Sequence, residues 1–548
     1  MSLDFAAPRT RAAAARPLGP ASARSPHRGL SPEQTAAPYA SALSLHAQRD
    51  TLSLLVPGHG AAGTGIAQGQ ADYFGERLLA LDVPPLLEGI DLGPGSPKQR
   101  ALELAAEAWG ARRTWFLTNG SSQANRIAAI AARGLGDDVV MQRSAHSSFV
   151  DGILVAGLRP GFATPAIDRA RGIHHGLTPD AVRAAIEAHP GAPRAVYIVS
   201  PSYFGAVADV AGIAEVVHAA GAALIVDGAW GAHFGFHPEL PESPLRLGAD
   251  LAIMSTHKLT GSLTQSAVLH LGETALADRL EPLVERAHAM TASTSESSLM
   301  MASIDLARRD LVSRSDDIDD SVRAVRQARQ MFRADGRFPI ISDGFGEYDD
   351  IVAVDPFRIP LDITATGLDG HAVRERLMRE HGVLTEIATA TAIVAVVGIG
   401  KSPELSPLLA ALHEIADAEG ARGGDASSGD AERGDAGRGD AGSGRRGDAS
   451  ATAHGPAALP PLPAAGPMRM RPREAYLGEV ETVPWREAVG RVSVDSLAAY
   501  PPGIPNVLPG EEITVDVVDF LRAVAASPGG HVRGAADPLV GTMRVLRA

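Results

Sequence analysis

The chain has 548 residues, no cysteine, and a formal charge of -14 from 50 basic and 64 acidic side chains. That length implies two or three domains, and the missing thiols exclude disulfides and thiolate zinc sites and suit a reducing compartment. The acidic balance, with no basic stripe interleaved with aromatics, argues against a nucleic-acid binder.

With 45% hydrophobic residues and a mean hydropathy near zero, the chain reads as a globular protein in water. The most apolar late stretch, Ile393 to Ile399, is too short to cross a bilayer. No charged-then-apolar signal opens the chain, so a cytoplasmic location is expected. Residues 1–38 are rich in Ala, Arg, Pro and Ser, and Pro8, Pro17, Pro20 and Pro26 break any amphipathic helix, which predicts a disordered tail. Tyr39 to Leu55 has the spacing of an amphipathic helix and ends in the turn Val56-Pro57-Gly58-His59-Gly60.

From Pro94 onward helix and strand alternate. Ser96 to Trp109 reads as a helix with a serine at its start, and Thr114 to Thr118 as a strand. Asn119-Gly120-Ser121-Ser122 opens a helix reaching Ala132. Val139 to Gln142 is a strand that leads to His146. Pro179 to Ala188 is a helix, Ala195 to Val199 a strand ending at Ser200, and Val210 to Ala220 a helix. Ala222 to Val226 is a strand ending at Asp227, and Leu251 to Met254 a strand ending at Ser255, Thr256, His257 and Lys258, from which the chain returns into a further strand. Alternation of this kind, with near-continuous apolar strands, predicts a mostly parallel central sheet sandwiched by helices. Residues 300–335 look helical and charged, and 350–400 give an α+β pattern of strand, helix, strand. The expected units are a large domain over 39–330, a small α+β domain over 331–418, a disordered low-complexity linker over 419–466 and a C-terminal domain over 467–548.

Ligands of open α/β sheets sit outside the carboxyl ends of the strands. Five predicted strands deliver Gly120, Ser121 and Ser122, then His146, Ser200, Asp227, and the set Ser255, His257 and Lys258 to that edge. The chain has three lysines, Lys98, Lys258 and Lys401, and of these Lys258 alone follows an apolar strand. A lysine amine sheds its proton and attacks a carbonyl, whereas a guanidinium in practice does not, so Lys258 is a candidate Schiff-base former. Pyridoxal phosphate needs such a lysine, a carboxylate for its ring nitrogen and N–H groups at a helix start for its phosphate. Lys258, Asp227 and Gly120-Ser121-Ser122 supply these three. His146 is placed to stack on the ring, and Ser255 and His257 to add phosphate contacts. Each residue has a plainer reading: Lys258 as a surface lysine in a hairpin, Asp227 as a turn former, Gly-Ser-Ser as a helix cap, His146 as a structural histidine, His257 as a polar turn residue. Their joint placement at strand ends is what singles them out.

Ser255-Thr256-His257-Lys258, followed by Gly261, Thr264, Gln265 and Ser266, resembles the pyridoxal-lysine signature of the bacterial ornithine/lysine/arginine decarboxylase family, which has the aspartate-aminotransferase-like fold type I. Further landmarks are Val56-Pro57-Gly58-His59, Thr118 to Ser122, Arg143 to Ser148, Gly231 to Pro238, Met301-Ala302-Ser303, and Tyr500 to Pro505 with Pro509-Gly510-Glu511. The resemblance covers residues 40–410 and 468–548 and implies decarboxylation of a basic amino acid (arginine, lysine or ornithine, unranked) in polyamine-type metabolism. It implies pyridoxal phosphate as cofactor, no metal, and a homodimer or larger assembly with shared sites. Lys258, Asp227, His146 and His257 would be its catalytic residues, with His257 or Lys258 returning the proton to Cα. Ala229 and Trp230 would line the cofactor site, Ser295 would match a phosphate contact from the partner, and Glu481, with Trp230, would meet the distal cationic end of the substrate. The chain looks like the shorter members, without a receiver-like N-terminal domain. It departs from the family at Gly60, where lysine is common, at Glu296, where proline is common, and in the 419–466 insert. Two other readings fit the same residues: aminotransfer or elimination on this fold, and a non-catalytic cofactor-binding relative.

Overall fold

The structure, a computed structural model, describes residues 30–168, 171–428, 463–500, 504–527 and 530–547. Of the tail expected over 1–38, residues 1–29 lie outside the described residues, whereas Pro32–Thr35 forms a 3-10 turn and Gln34 and Ala37 are buried. Of the linker expected over 419–466, residues 429–462 lie outside them, as do Pro501-Pro502-Gly503.

The central sheet has seven strands: β1 (Arg113–Leu117), β2 (Asp138–Gln142), β3 (Arg159–Ala163), β4 (Ala195–Val199), β5 (Ala223–Asp227), β6 (Leu251–Met254) and β7 (Ala267–Leu271). Their spatial order is β1-β7-β6-β5-β4-β2-β3. From β3 to β6 every neighbouring pair is parallel. β7 is the exception and runs antiparallel to both β6 and β1. The chain between β6 and β7 holds only the short helix Thr256–Leu259, too little for the crossover that a parallel return requires.

Alternate residues of each strand face opposite layers. Met141, Tyr197, Ile225 and Ile253 pack beneath helices α3 (Gly120–Arg133), α4 (Ser147–Ala156) and α7 (Ala277–Thr291). Val196, Leu224 and Val226 face the opposite layer, with α5 (Pro179–Ala188) and α6 (Val210–Ala219). At the other end of that layer, Phe116, Ala252 and Met254 meet α1 (Pro38–His46), α2 (Pro97–Trp109) and α8 (Ser298–Ser313). Because both faces are covered, β5, β6 and β7 are buried along their whole length.

A second, antiparallel sheet has the order β8-β10-β9, from β8 (Arg358–Asp362), β9 (Ile387–Ala388) and β10 (Ala392–Val396). It packs on α9 (Ser315–Asp335), α10 (Gly370–His381) and α11 (Ser406–Ser428), and its apolar core takes in Trp230 and Leu259 from the segments that follow β5 and β6. The last helix runs past Glu419 into the stretch expected to be linker. The described residues between 463 and 547 build a separate core around Val483, Leu497, Val518, Leu521 and Val545, with β11 (Val480–Pro484) paired to Thr542–Leu546 and helix α12 (Val515–Ala526) alongside.

The helix expected over Tyr39 to Leu55 stops at His46. Tyr39 and Leu43 are buried, but Leu52 and Leu54 are each 85% exposed, so the second half of the apolar stripe has no core to lie on in this subunit. Strand β3 and helix α4 carry no strong periodic signal and were not expected.

Candidate active site

The cavity at the carboxyl edge of the sheet has a volume of about 500 Å3 and brings the strand ends together. Its wall includes Gly120, Ser121 and Ser122 after β1, His146 after β2, Asp227, Ala229 and Trp230 after β5, and Ser255, His257 and Lys258 after β6. Ser200, though also at a strand end, is buried away from it, and its hydroxyl accepts the Ala208 N–H at 3.1 Å.

Lys258 lies in the single helical turn that follows β6. Thr260 Oγ1 donates to Thr256 O at 2.6 Å, and His257 Nδ1 lies 2.8 Å from Ser266 O, which folds the return loop onto the turn. That loop reaches β1: Gly120 N donates to Gln265 O at 2.7 Å, and Gln265 Nε2 to Asn119 Oδ1 at 3.0 Å. Gln265 and Gly120 both have positive φ, which glycine accepts without strain and glutamine does not. Ser121 Oγ and Ser255 Oγ are 2.7 Å apart, so hydroxyls from two strand ends meet above the start of α3. The Asn119 side chain makes no capping bond to that helix, leaving N–H groups of its first turn for an anion.

Asp227 is 3% exposed and takes three donors. Tyr197 OH is 2.6 Å and Asn125 Nδ2 3.1 Å from Oδ2, and Ala229 N is 3.0 Å from Oδ1. Burial, then the charge of Asp227, raises the Tyr197 hydroxyl well above its ordinary range, so it stays a donor. Tyr197 is stacked on Phe149 at 3.7 Å, which fixes the phenol. Asn125 also donates to Ser148 Oγ at 3.0 Å, and Ser148 Oγ lies 2.8 Å from His146 Nδ1. Burial lowers the basicity of His146; the Asp227 charge opposes this and the Lys258 charge adds to it. His257 is lowered too, chiefly by burial.

Burial pushes the Lys258 amine down to about 8, against the opposing charge of Asp227. Its Nζ lies 3.9 Å from the centre of the Trp230 ring. Trp230 is 7% exposed, and its buried indole N–H has no hydrogen-bond partner among the described residues. A buried, unspent donor on the cavity wall, an uncapped helix start with two serine hydroxyls and a fully solvated-out carboxylate together fit a planar, phosphorylated, nitrogen-containing cofactor.

Two expected residues are not at this cavity. Ser295 is exposed, its hydroxyl 3.0 Å from that of Ser293. Glu481, in β11, is held at 3.0 Å by Arg491 Nη2. Three functional candidates were not expected. Tyr197 and Asn125 carry Asp227, and Glu386, just before β9, is close enough to act electrostatically on Lys258, His257 and Arg358. No group of three or more His, Asp or Glu side chains among the described residues is placed to hold a metal, and no described helix is long and apolar enough to cross a membrane.

Residues 37–404 match the family model for the Orn/Lys/Arg decarboxylase major domain, and residues 463–531 the model for the C-terminal domain of the same family. The chain is 31% identical over 523 residues to an arginine decarboxylase of Halalkalibacterium halodurans, covering 94% of this chain and 98% of that enzyme. It is 31% identical to the arginine decarboxylase of Bacillus subtilis, over 93% and 98%. It is 25% identical to the lysine decarboxylase LdcA of Pseudomonas aeruginosa, over 88% and 75%. Among solved structures, the Escherichia coli constitutive lysine decarboxylase superposes with a TM-score of 0.72 at 20% identity, over 94% of this chain and 82% of that one, which establishes the shared fold.

Proposed function

The chain belongs to the Orn/Lys/Arg decarboxylase family and removes the carboxyl group of a basic L-amino acid, and on that premise we propose that its substrate is arginine and that Lys258 holds pyridoxal phosphate. Arginine is favoured by the relatives that align with nearly the whole chain and bear that substrate in their names. The observation that carries the site reading is the pairing of Lys258, its amine pushed down to about 8 by burial, with Asp227, which takes three donors, at the ends of adjacent strands on one cavity wall.

When bound, the cofactor supplies a conjugated ring that accepts the electron pair left as CO2 departs. The chain's residues do the rest. Lys258 offers an amine whose midpoint of about 8 leaves about a tenth of it uncharged at pH 7, far more than a free lysine, and that uncharged form is what attack on an aldehyde requires. Asp227 would accept the N–H of the ring nitrogen, and its three donors fix where its oxygens point. The first turn of α3 with Ser121, Ser122 and Ser255 would hold the phosphate, His146 would pack on the ring, and the Trp230 N–H would be free to donate to the cofactor. His257 or Lys258 would return a proton to Cα. Glu386 supplies negative charge beside Lys258 for the cationic substrate, and Glu481 with Trp230 remains a candidate for its distal end.

We place the enzyme in polyamine-type metabolism in the cytoplasm, as a homodimer whose sites are shared. Exposed apolar side chains between residues 52 and 86 support the dimer: Leu52 and Leu54 are each 85% exposed, and Tyr73, Phe74 and Leu86 are exposed too. The deciding experiment is CO2 release by purified protein with added pyridoxal phosphate, offered arginine, lysine, ornithine and glutamate. Release from arginine in excess of the others supports the reading. Release from lysine or ornithine instead reassigns the substrate, and none from any, with cofactor bound, overturns it in favour of another reaction on this fold or a non-catalytic relative.

A further inference from the structure

Arg358 opens β8 in the small sheet and is fully buried. It does not line the cavity, yet its guanidinium carbon is 3.7 Å from the centre of the Trp230 ring, the ring that Lys258 Nζ approaches to 3.9 Å. Two cations therefore share one indole and lie within about 8 Å of each other, a range over which charges interact strongly in a buried site.

The arginine is held from behind. Its Nη1 donates to Tyr203 O, and its Nε lies 3.8 Å from Asp355 Oδ2. Asp355 Oδ1 lies 3.1 Å from Nε2 of His233, and both side chains are fully buried. His233 sits in Gly231 to Pro238, a landmark stretch that the chemistry of the cavity leaves unused. The Arg358 Nε and Nη2 have no hydrogen bond among the described residues. Burying a guanidinium with two unspent N–H groups is costly, and a residue needed only for packing could be apolar. Burial pushes Arg358 down to about 10, so at neutral pH it keeps its charge.

We propose that Arg358 is a positioning residue for Lys258: a fixed positive charge, clamped against Trp230 by Asp355 and His233, that holds the indole in place and enlarges the uncharged, nucleophilic share of the lysine amine. The charged and titratable groups around Lys258 are Asp227 from β5, Arg358 from β8 and Glu386 from the turn before β9, with His257 beside it and His146 across the cavity. Around Arg358 they are Asp355, Glu386 and Tyr203. Burial acts most strongly on the Lys258 amine; Asp227 and Glu386 favour its charged form, and Arg358 opposes them. A second cation beside a desolvated lysine is a general way to activate it.

The inference rests on Lys258 as the reacting amine, but its test needs neither cofactor nor turnover. The chain has only three lysines, so trace acetylation by acetic anhydride followed by peptide mass spectrometry reads each one separately. The full chain, freed of bound aldehyde by dialysis, is labelled across pH, with exposed Lys401 as internal standard for the reagent. Wild-type Lys258 should titrate near pH 8. In Arg358→Met the midpoint should rise, and labelling of Lys258 relative to Lys401 at pH 7 should fall about tenfold, one unit of midpoint being a factor of ten. Arg358→Lys should stay near wild type. If Arg358→Met does not fold because the buried Asp355 loses its neighbouring cation, Asp355→Asn/Arg358→Met removes both charges and carries the same expectation. An unmoved Lys258 midpoint in a folded variant without the cation overturns the proposal. The separate CO2 assay tests the decarboxylase reading, so the two cannot be confused.

Discussion

The oxygens of Asp227 are oriented by what surrounds them. Tyr197→Phe deletes one donor and leaves the ring stack on Phe149 intact, so its cost should fall on the carboxylate: about 1.5–3 kcal/mol, the worth of a hydrogen bond to a charged group, seen as weaker cofactor binding and lower kcat with little change in Tm. The two acidic candidates for the substrate's positive charge separate in the same way. Glu386→Gln should raise KM for arginine by about 1.5–3 kcal/mol, and Glu481→Gln, which only releases Arg491 within one subunit, should do so only if β11 meets a cavity across the dimer. The pH dependence of aldehyde capture follows from the amine. Its folded-state value is lowered to about 8, so the uncharged, attacking form grows as pH rises toward 8 and saturates above it. Stopped-flow capture of pyridoxal phosphate by stripped protein should climb with that midpoint. That Lys258, Asp227 and His146 would meet at one edge of the sheet was legible in the sequence, because a strand end followed by a polar residue is a local signal. Tyr197 and Asn125 were not, since a tyrosine in an apolar strand and an asparagine inside a helix look like packing until the fold brings both to one oxygen. Glu386 lies more than a hundred residues from Lys258 in sequence, and nothing near it marks it.

At the scale of elements, the turn from β1 into α3 is the piece whose geometry the site depends on most. Gly120 has φ +68, and a Cβ there would find only the Gln265 carbonyl at an ordinary 3.8 Å, so space is not the constraint and backbone strain is. Gly120→Ala should cost about 1–2 kcal/mol. Part of that should appear as weaker phosphate binding, because the same residue's N–H is tied to Gln265 O and aims the first turn of α3. A fluorescence titration with pyridoxal phosphate, set beside a thermal melt, checks the split. A comparable constraint supports Arg358: Gly205, at φ +88, leaves 3.0 Å between its missing Cβ and the Arg358 Cβ. Most elements could be placed from sequence because caps and apolar runs coincide; Ser96 accepts the Gln99 N–H at the start of α2, as a serine before an apolar stripe predicts. The stripe from Tyr39 to Leu55 misled because its periodicity continues past the point where a core in the same subunit ends. The direction of β7 was likewise invisible, since an apolar strand reads the same either way and only the length of its connection decides.

The whole molecule is joined by contacts that sequence reading does not anticipate. Arg143, just after β2, donates to Glu511 Oε2 at 2.9 Å and to the Pro505 carbonyl at 3.1 Å, and Arg533 Nη1 donates to Ser147 Oγ at 2.8 Å, so the C-terminal unit is fastened beside His146. Arg143→Met strands the buried Glu511 and should cost about 3–5 kcal/mol, seen as a lower Tm. The shared-site proposal makes a sharper demand, because Ser295 is exposed and absent from the cavity of its own subunit. Consider a mixed dimer of one Lys258→Ala subunit and one Ser295→Ala subunit. If Ser295 serves its own subunit, both sites of the mixed dimer are damaged and activity stays at the level of the parents. If Ser295 of the partner subunit completes each site, the Lys258 of the second subunit is paired with an intact serine from the first. One whole site is then restored per mixed dimer, giving about half the wild-type rate for that species. Co-expression with two different affinity tags isolates the mixed dimer, and its turnover against both homodimeric parents decides whether the site spans two subunits.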